Sequence, residues 1–294
     1  MFFRFWCWVA LSMIGVSAIG MILFTSRPVG DAMATTIWGT SSSWTLTALP
    51  LFVWMGEILF RTKLSENLFK GLSPWMQRLP GGLIHVNVVG CALFAAISGS
   101  SAATVATVGK MSIPELRKRN YPEKILLGSL AGSGTLGLLI PPSIILIIYG
   151  VAVQESIAKL FIAGIIPGIM IALIFMSYVI IWSLINKKEM PKIIEEYSFL
   201  EKIKRSKQLL PVILLISSVI GSIYTGIATA TEAASLGVVG ALILSFFQKT
   251  LTLETFKSSL LGATKTSCMI AFILAGSTFL SLAMGFTGLP RNLA

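Results

Sequence analysis

Residues 92–109 read ALFAAISGSSAATVATVG, and residues 130–152 read LAGSGTLGLLIPPSIILIIYGVA. Both stretches are apolar enough for a membrane interior, yet each is interrupted, by residues 98–101 in the first and by residues 132–135 and Pro141-Pro142 in the second. Inside a helix, glycine costs about 1 kcal/mol and proline about 3 kcal/mol. Lipid cannot satisfy the freed backbone groups, so such breaks persist only where protein, water or an ion meets them. Paired breaks at membrane depth indicate a substrate and ion site of a transporter.

The composition defines the broad class of the protein. Of its 294 residues, 55% are hydrophobic and only 12% are charged, whereas soluble domains carry about 25% charged residues. We therefore expect an all-α polytopic membrane protein. The net charge of +11 lies mostly in loops, which fits the positive-inside bias better than it fits nucleic-acid binding. Besides the first broken segment, seven stretches are long enough to cross a bilayer: 5–26, 44–60, 122–152, 156–185, 208–226, 231–248 and 262–285.

The sequence offers little for metal or disulfide chemistry. Cys7, Cys91 and Cys268 all lie in apolar segments without CxxC spacing, which predicts small core residues. A single histidine argues against a histidine-based metal site, and no cofactor is expected. Residues 5–26 could be read as a cleaved signal peptide, but the segment is too long and no A-x-A site follows it, which favours a retained helix.

Residues 61–80 combine basic and apolar side chains. The apolar residues recur at spacings of three to four, which predicts one apolar helix face. Basic residues on such a helix suit lipid headgroups, so we expect a short helix lying in the membrane interface. Its apolar positions are Leu64, Leu68, Leu72, Trp75 and Met76.

Residues 81–115 could form a re-entrant hairpin that turns at residues 98–101, or they could span the membrane. If Arg4 is cytoplasmic and the segment is a hairpin, most of the chain's 23 lysines and arginines fall on one side. A full span would instead divide the basic loops between the two faces. The positive-inside bias therefore favours the hairpin and a cytoplasmic N-terminus. On this reading the basic loops are 61–80, 117–124, 186–207 and 249–257, and the opposite side holds only Arg27, Lys159 and Arg291.

Several motifs together carry a family resemblance that covers essentially the whole chain. Residues 79–121 read LPGGLIHVNVVGCALFAAISGSSAATVATVGKMSIPELRKRNY, followed by GTLGLLIPPSIILIIYGV at 134–151 and LFIAGIIPGI at 160–169. Upstream lies ALPLFVWMGEIL at 48–59, and downstream lies GIATATEAASLGVVGAL at 226–242. The combination resembles the large membrane subunit of tripartite ATP-independent periplasmic (TRAP) transporters.

The resemblance implies a sodium-coupled importer of organic acids, such as dicarboxylates and sialic acid, in a bacterial or archaeal inner membrane. It also implies two partners, a periplasmic substrate-binding protein and a small four-helix membrane subunit. The implied fold is of the elevator type, in which two inverted repeats, each with a helical hairpin and a broken helix, form a transport domain that moves against a scaffold.

The chain departs from the family pattern at two places. Ala230 stands where the family motif has proline between two threonines, and the sequence ends in GLPRNLA, before the second hairpin and second broken helix. We therefore expect a truncated second repeat: either the chain is a fragment or truncated gene product, or another polypeptide supplies the rest. The alternative function is a non-transporting assembly partner. The expected organisation is scaffold and interfacial helix in 1–80, half of the transport domain in 81–155 (hairpin 81–115, broken helix 122–152), scaffold with loop 186–207 in 156–226, and the incomplete second repeat in 227–294.

The two breaks are the candidate sodium site. Sodium prefers oxygen ligands, and half-helix C-terminal ends add negative dipole character. The alternative is that the small residues only allow close helix packing. The resemblance implies a sodium site where the hairpin tip meets the broken helix, and we assign as ligands, mainly through backbone oxygens, Ser98, Ser101, Gly137, Ile140 and Pro142.

Helix N-termini exposed by the breaks could bind a substrate carboxylate through free N–H groups. Ser100, Thr135 and Ser143 could add hydroxyl donors, unless these hydroxyls bond back to their own helices. The family's substrate-binding arginine has no counterpart in these breaks. Lys110, the nearest basic residue, is expected to extend to the interface.

Other polar residues have both structural and functional interpretations. Glu57 could be an intramembrane functional acid, but an i,i+4 pair with Arg61 is favoured. Glu232 is expected to belong to a helix cap. His85 is too far from Ser98 along one helix to serve as its base, so the sequence argues against an intramembrane serine protease and against an enzyme generally.

Overall fold

The computed structural model describes residues 2–62, 64–191, 197–207 and 209–288. This part of the chain is all-α and contains no strand. It therefore confirms the predicted all-α class. The helices are α1 (Phe2–Phe24), α2 (Val29–Ser41), α3 (Ala48–Phe60), α4 (Leu64–Met76), α5 (Ile84–Ser98), α6 (Ser101–Lys118), α7 (Glu123–Gly134), α8 (Ile144–Val153), α9 (Ile157–Ile185), α10 (Phe199–Ser206), α11 (Leu210–Tyr224), α12 (Ala230–Phe247) and α13 (Leu253–Thr287), with 3₁₀ turns at Trp44–Thr47 and Thr135–Leu138.

Within the described residues, three single helices are long and apolar enough to cross a membrane: α9, α12 and α13. The number reaches five only if each of two bent pairs is counted as one span, namely α2 with the segment Trp44–Phe60, and α10 with α11. The number is lower than the seven expected stretches partly because residues 122–152 are divided between two shorter helices. Helix α13 has 35 residues, or about 52 Å at 1.5 Å per residue, so it extends well beyond the hydrocarbon core.

Residues 81–115 form the predicted helical hairpin. Helix α5 ends at Gly99, whose φ of 58° is left-handed, and Ser100 is the N-cap of α6. A glycine suits this turn because it adopts positive φ without a side-chain penalty. The arms run antiparallel, since Gly90 of α5 faces Val108 of α6. The structure thus shows two helices joined by a tight turn at Gly99 and Ser100, while a re-entrant hairpin in the bilayer stays a prediction.

Residues 122–152 form the predicted broken helix. Helix α7 passes into a 3₁₀ turn that ends at Leu138, an irregular segment follows, and α8 begins at Ile144. The Pro141-Pro142 peptide bond in this segment is cis. Proline lacks a backbone N–H and cannot continue a helix, which explains why the regular structure stops here.

Helices α12 and α13 both pack on α3, and these three helices form a frame beside the hairpin and the broken helix. Gly237 of α12 packs on Met55 of α3, and Gly276 of α13 packs on the backbone of Ala10 in α1. The Trp54 indole N–H donates to Ser259 Oγ across α3 and α13 at 3.3 Å. Helix α3 therefore contacts α12, α13 and α5.

Helix α4 and the segment 186–207 differ from what the sequence led us to expect. Helix α4 buries its apolar face, including Leu68 and Leu72, in the protein core, so that face contacts protein. Residues 186–207, expected to be a loop, contain α10. Its sequence is short and highly charged, but Ser198 and Glu201 form a capping box, at the S-x-x-E spacing that is visible in the sequence, and this box fixes the start of the helix.

Of the three cysteines, Cys91 is buried as expected, but Cys268 is exposed. The prediction of a core residue was wrong for Cys268, because it lies on an outward face of the long α13. The side chains of Arg4 and Cys7, and the basic residues Lys63, Lys192 and Arg291, lie outside the described residues. So does the end of the chain, residues 289–294.

Candidate functional site

The hairpin tip meets the break in the second segment through backbone atoms. The Gly99 carbonyl accepts a hydrogen bond from the Ile144 N–H at 3.2 Å. A Cβ placed on Gly99 would lie 2.7 Å from the carbonyl oxygen of Pro142. The approach therefore requires glycine for two reasons, the positive φ and the lack of space.

A second glycine closes the other side of the same contact. A Cβ on Gly137 would lie 2.8 Å from the Ser101 nitrogen and 3.0 Å from the Ser100 oxygen. These are backbone atoms, which cannot rotate away as a side chain could. The 3₁₀ turn that carries Gly137 thus lies directly on the start of α6.

Four helix ends converge at this contact. Helix α5 ends and α6 begins at the hairpin tip, while α7 with its 3₁₀ turn ends and α8 begins at the break. Helix C-terminal ends present carbonyl oxygens that suit a cation, and N-terminal ends present N–H groups that suit an anion. The arrangement therefore offers both kinds of partner within one small region.

Helix α9 packs against the irregular segment between α7 and α8. Its Gly164 and Gly168 are spaced as in a GxxxG motif, which permits close approach of a neighbouring chain. A Cβ on Gly164 would lie 2.7 Å from the Leu139 carbonyl oxygen, and one on Gly168 would lie 2.9 Å from an Ile140 side-chain carbon. The irregular segment is therefore held between α9 and the hairpin tip.

The two serines expected to bind sodium have different surroundings. Ser98 Oγ lies 3.0 Å from Thr104 Oγ1 and 3.3 Å from the Ser100 carbonyl oxygen. Ser101 Oγ is buried and has no hydrogen-bond partner among the described residues. A buried hydroxyl without a partner carries an energetic cost, so Ser101 is the residue that would gain most from a ligand.

The three hydroxyls expected to contact substrate form hydrogen bonds with backbone groups close to them in the sequence. Ser100 Oγ accepts from the Ala103 N–H, Thr135 Oγ1 donates to the Gly132 carbonyl, and Ser143 Oγ donates to the Leu138 carbonyl at 2.6 Å. Such bonds were the alternative to substrate binding, in which the hydroxyls bond back to their own segments. The substrate role of all three stays a prediction.

A cavity of about 220 Å³ lies between the hairpin tip, α3 and α13. Among its lining residues are Gly56 and Glu57 of α3, Ser98 and Ser100 of the tip, and Thr266 of α13. Gly56 allows the close approach, because a Cβ there would lie 3.0 Å from Ser98 Cα. A larger cavity of about 760 Å³ is lined by the C-terminal end of α8, the start of α9 and the start of α12, away from the two breaks.

The expected ion pair of Glu57 and Arg61 is confirmed. Arg61 also donates to the Ser258 hydroxyl at 3.1 Å and to the Ser258 carbonyl at 3.2 Å. Gly262 makes room for the carboxylate, since a Cβ there would lie 2.7 Å from a Glu57 oxygen. The pair thus joins α3 to α13 at the edge of the smaller cavity.

Buried polar residues join α5, the first arm of the hairpin, to α7 and to the neighbouring connections. The fully buried Asn87 amide donates to Ser129 Oγ at 3.0 Å and to the Leu126 carbonyl at 3.3 Å. His85 Nε2 lies 2.8 Å from the Pro80 carbonyl oxygen. In the α6–α7 connection, Tyr121 Oη accepts from the Leu83 N–H at 3.0 Å, and burial raises the pKa of Tyr121.

The structural role predicted for Glu232 is confirmed. Its carboxylate accepts from the Thr229 N–H at 2.8 Å, and Thr229 Oγ1 accepts from the Glu232 N–H at 3.3 Å. The T-x-x-E spacing that signals such a capping box is visible in the sequence.

Among the described residues, no group of three or more His, Cys, Asp or Glu side chains could hold a metal ion. Any cation at the breaks would therefore be held mainly by neutral oxygens.

Sequence reasoning missed two components of the site: Gly56 and the Gly164/Gly168 pair. The GxxxG spacing was a usable signal. A glycine within an apolar helix, as at Gly56, gives no information about which neighbour approaches it.

Comparison with known proteins agrees with the resemblance. The family described as "Tripartite ATP-independent periplasmic transporter, DctM component" matches residues 1–294. The C4-dicarboxylate TRAP transporter large permease protein DctM of Pseudomonas aeruginosa is 33% identical over 282 residues, covering 96% of this chain and 65% of that protein. The sialic acid TRAP transporter large permease protein SiaM of Vibrio cholerae is 33% identical over 289 residues, covering 97% and 66%. The isethionate TRAP transporter permease protein DctMQ of Oleidesulfovibrio alaskensis is 31% identical, covering 96% and 44%.

These matches extend over nearly the whole chain, which spans slightly less than two thirds of the large permeases compared. The family consists of transport proteins, which agrees with the expectation that the chain is not an enzyme. The apolar helices agree with a multi-pass membrane protein. The chain therefore belongs to the DctM family of large permease subunits of tripartite ATP-independent periplasmic transporters.

Proposed function

We propose that this chain forms the part of a TRAP permease that carries one half of a sodium-coupled transport site. The observation that carries the proposal is the contact of the hairpin tip with the break between α7 and α8, beside the buried, unpartnered Ser101 hydroxyl. Backbone oxygens at two facing breaks are suitable ligands for a hard monovalent cation. The coupling ion is sodium, and no other cofactor takes part.

The sodium ligands in this proposal are Ser98, Ser101, Gly137, Ile140 and Pro142. Support comes from the tight backbone contacts of Gly137 with Ser100 and Ser101. With the ion bound, the Ser101 hydroxyl gains the partner that it lacks among the described residues. The ion also draws the hairpin tip and the broken helix together, so that their relative position depends on sodium.

The transported substrates are organic acids. Relatives bear names that refer to C4-dicarboxylates, sialic acid and isethionate, all of which are anions. The N-terminal ends of α6 and α8 supply N–H groups with the polarity that a carboxylate needs. Ser100, Thr135 and Ser143 contribute once their local hydrogen bonds are exchanged for bonds to the substrate.

The proposed transporter works in the inner membrane, with its N-terminus in the cytoplasm. A periplasmic binding protein delivers the substrate, and a small four-helix membrane subunit completes the membrane assembly. The hairpin and broken helix move relative to the frame of α3, α12 and α13 in an elevator-like step. Gly56, which contacts the hairpin tip, lies at the boundary where that movement occurs.

Uptake by proteoliposomes tests the function. Vesicles containing the complete transporter of which this chain is part receive labelled C4-dicarboxylate, sialic acid or isethionate, with the binding protein outside. An inward sodium gradient should drive uptake of at least one of these anions, and uptake should require the binding protein. Equal uptake with potassium in place of sodium would refute the coupling.

A further inference from the structure

Helix α10 is a short amphipathic helix on the surface of the protein, and the family site does not use it. Its sequence FLEKIKRS places apolar residues on one side and basic residues beside them. Including Lys207, the segment has four basic residues and one acid, a net charge of +3. Such a composition is typical of helices that lie on a membrane surface.

One face of α10 is anchored to α4. The Trp75 indole N–H donates to Ser206 Oγ at 2.7 Å, and the Trp75 and Phe199 rings meet edge to face with centroids 6.2 Å apart. The Lys202 ammonium lies 5.6 Å from the centre of the Trp75 ring, and Lys202 is buried. These contacts fix which face of α10 is directed away from the protein.

The outward face carries an apolar edge with basic neighbours. Leu200 is 79% exposed and Ile203 is 42% exposed, and the two are one helical turn apart. Lys204 and Lys207 continue the same stripe, at the i+4 and i+7 positions from Leu200, and both are exposed. Exposing two large aliphatic side chains to water beside lysines is unfavourable, so this face requires a covering surface that is apolar inside and negatively charged at its rim.

The position of α10 relative to α11 identifies that surface. Helix α10 is bent by 58° from α11, an apolar helix that follows it after a short break. Leu210 and Leu214 of α11 are 54% and 60% exposed, so the apolar edge of α10 is continuous in sequence with an exposed apolar helix. A helix at a large angle to the start of a membrane helix lies near the headgroup level.

We propose that α10 is a binding surface for anionic phospholipid. Leu200 and Ile203 enter the boundary between headgroups and acyl chains, while Lys204 and Lys207 contact the lipid phosphates. The favourable charge is the reason for choosing anionic over zwitterionic lipid, because each basic residue near a negatively charged membrane surface adds attraction. Through the Trp75–Ser206 hydrogen bond, this lipid contact is transmitted to α4, which packs on the hairpin.

Fluorescence quenching by labelled lipids tests the proposal. An environment-sensitive fluorophore is attached at Leu200→Cys, with Cys7 and Cys268 replaced by serine, and the protein is reconstituted into phosphatidylcholine vesicles with a fixed fraction of phosphatidylglycerol. The spin label is placed near the headgroup of either the phosphatidylglycerol or the phosphatidylcholine. We expect phosphatidylglycerol to quench more strongly. Since one lysine near the surface contributes about a fivefold preference, Lys204→Gln or Lys207→Gln should reduce the preference about fivefold each.

A matched control uses the same fluorophore at Leu173→Cys in α9, where the native side chain is 57% exposed and no basic residue is nearby in sequence. There both lipids should quench equally. Equal quenching by both lipids at position 200 would refute anionic selectivity. Quenching only by aqueous iodide, or protection that arises only when the other transporter proteins are added, would refute the lipid surface itself.

Discussion

The carbonyl of Gly99 at the hairpin tip accepts a hydrogen bond from the N–H of Ile144, the first residue of α8. The two residues are 45 positions apart in the sequence, and their bond joins the two broken elements through backbone atoms alone. A backbone contact of this kind tolerates changes of side chain but not changes of backbone conformation. The strongest tests of the site are therefore substitutions at glycine.

Replacing Gly99 by alanine should destabilise the protein by about 2 kcal/mol or more, because the residue has positive φ and the new Cβ meets the Pro142 carbonyl. Thermal unfolding in detergent measures the change. Gly128→Ala is the matched control, since nothing lies within 4 Å of a Cβ at that helical glycine. A Gly99→Ala protein as stable as the parent would contradict the close contact.

The effect of Ser101→Ala should depend on sodium. Without sodium, the variant should be as stable as the parent or slightly more stable, because the buried hydroxyl has no partner to lose. With sodium, the variant should gain less stability, and its sodium midpoint should rise severalfold. A sodium titration followed by thermal unfolding measures both effects.

Ser98→Ala, unlike Ser101→Ala, should lower the stability of the protein whether or not sodium is present. Its hydroxyl is bonded to Thr104 and to the Ser100 carbonyl, so the loss should be about 1 kcal/mol and should already be present without sodium. If Ser101→Ala left the sodium response unchanged, its hydroxyl would not be a ligand.

The sequence could predict the breaks because glycine and proline act on the backbone locally. It could not distinguish Ser98 from Ser101, which lie in the same SGSS run and differ only in the partners that the fold gives them. Helix α10 was missed because eight residues with four charges resemble a solvated loop, although Ser198 and Glu201 stand at the S-x-x-E spacing of a capping box. The exposure of Cys268 could not be predicted from the sequence either, since every face of α13 contains apolar residues.

The two residues of the Glu57–Arg61 pair should contribute unequally to the stability of the protein. Glu57→Gln should cost less than about 1 kcal/mol, because both side chains are about one quarter exposed and the pair is screened by solvent. Arg61→Ala should cost more, about 2 kcal/mol, because it also removes the bonds to Ser258 that join α3 to α13. Denaturant unfolding of the two variants measures the order, and a larger loss in Glu57→Gln would contradict it.

The re-entrant topology predicts the same sidedness for both ends of the hairpin. Cysteines introduced at Arg78 and Lys118, both exposed, should react with a membrane-impermeant maleimide only from the cytoplasmic side. A cysteine at Ile227, which is 82% exposed between α11 and α12, should react from the periplasmic side. Opposite sidedness of positions 78 and 118 would show that residues 81–115 span the membrane.

Gly137→Leu should abolish sodium binding while leaving most of the frame intact. A side chain at this position meets the Ser100 and Ser101 backbone at 2.8–3.0 Å, so the 3₁₀ turn must move away from the hairpin tip. The Gly137 and Ser101 oxygens would then no longer face one common ion. Sodium-dependent thermal stabilisation, which follows the ratio of ion concentration to dissociation constant, should disappear, whereas Gly128→Leu on the exposed side of α7 should retain it. An unchanged sodium midpoint in Gly137→Leu would refute the assignment of the ion to this contact, because no rotation of a side chain can relieve a clash with two backbone segments.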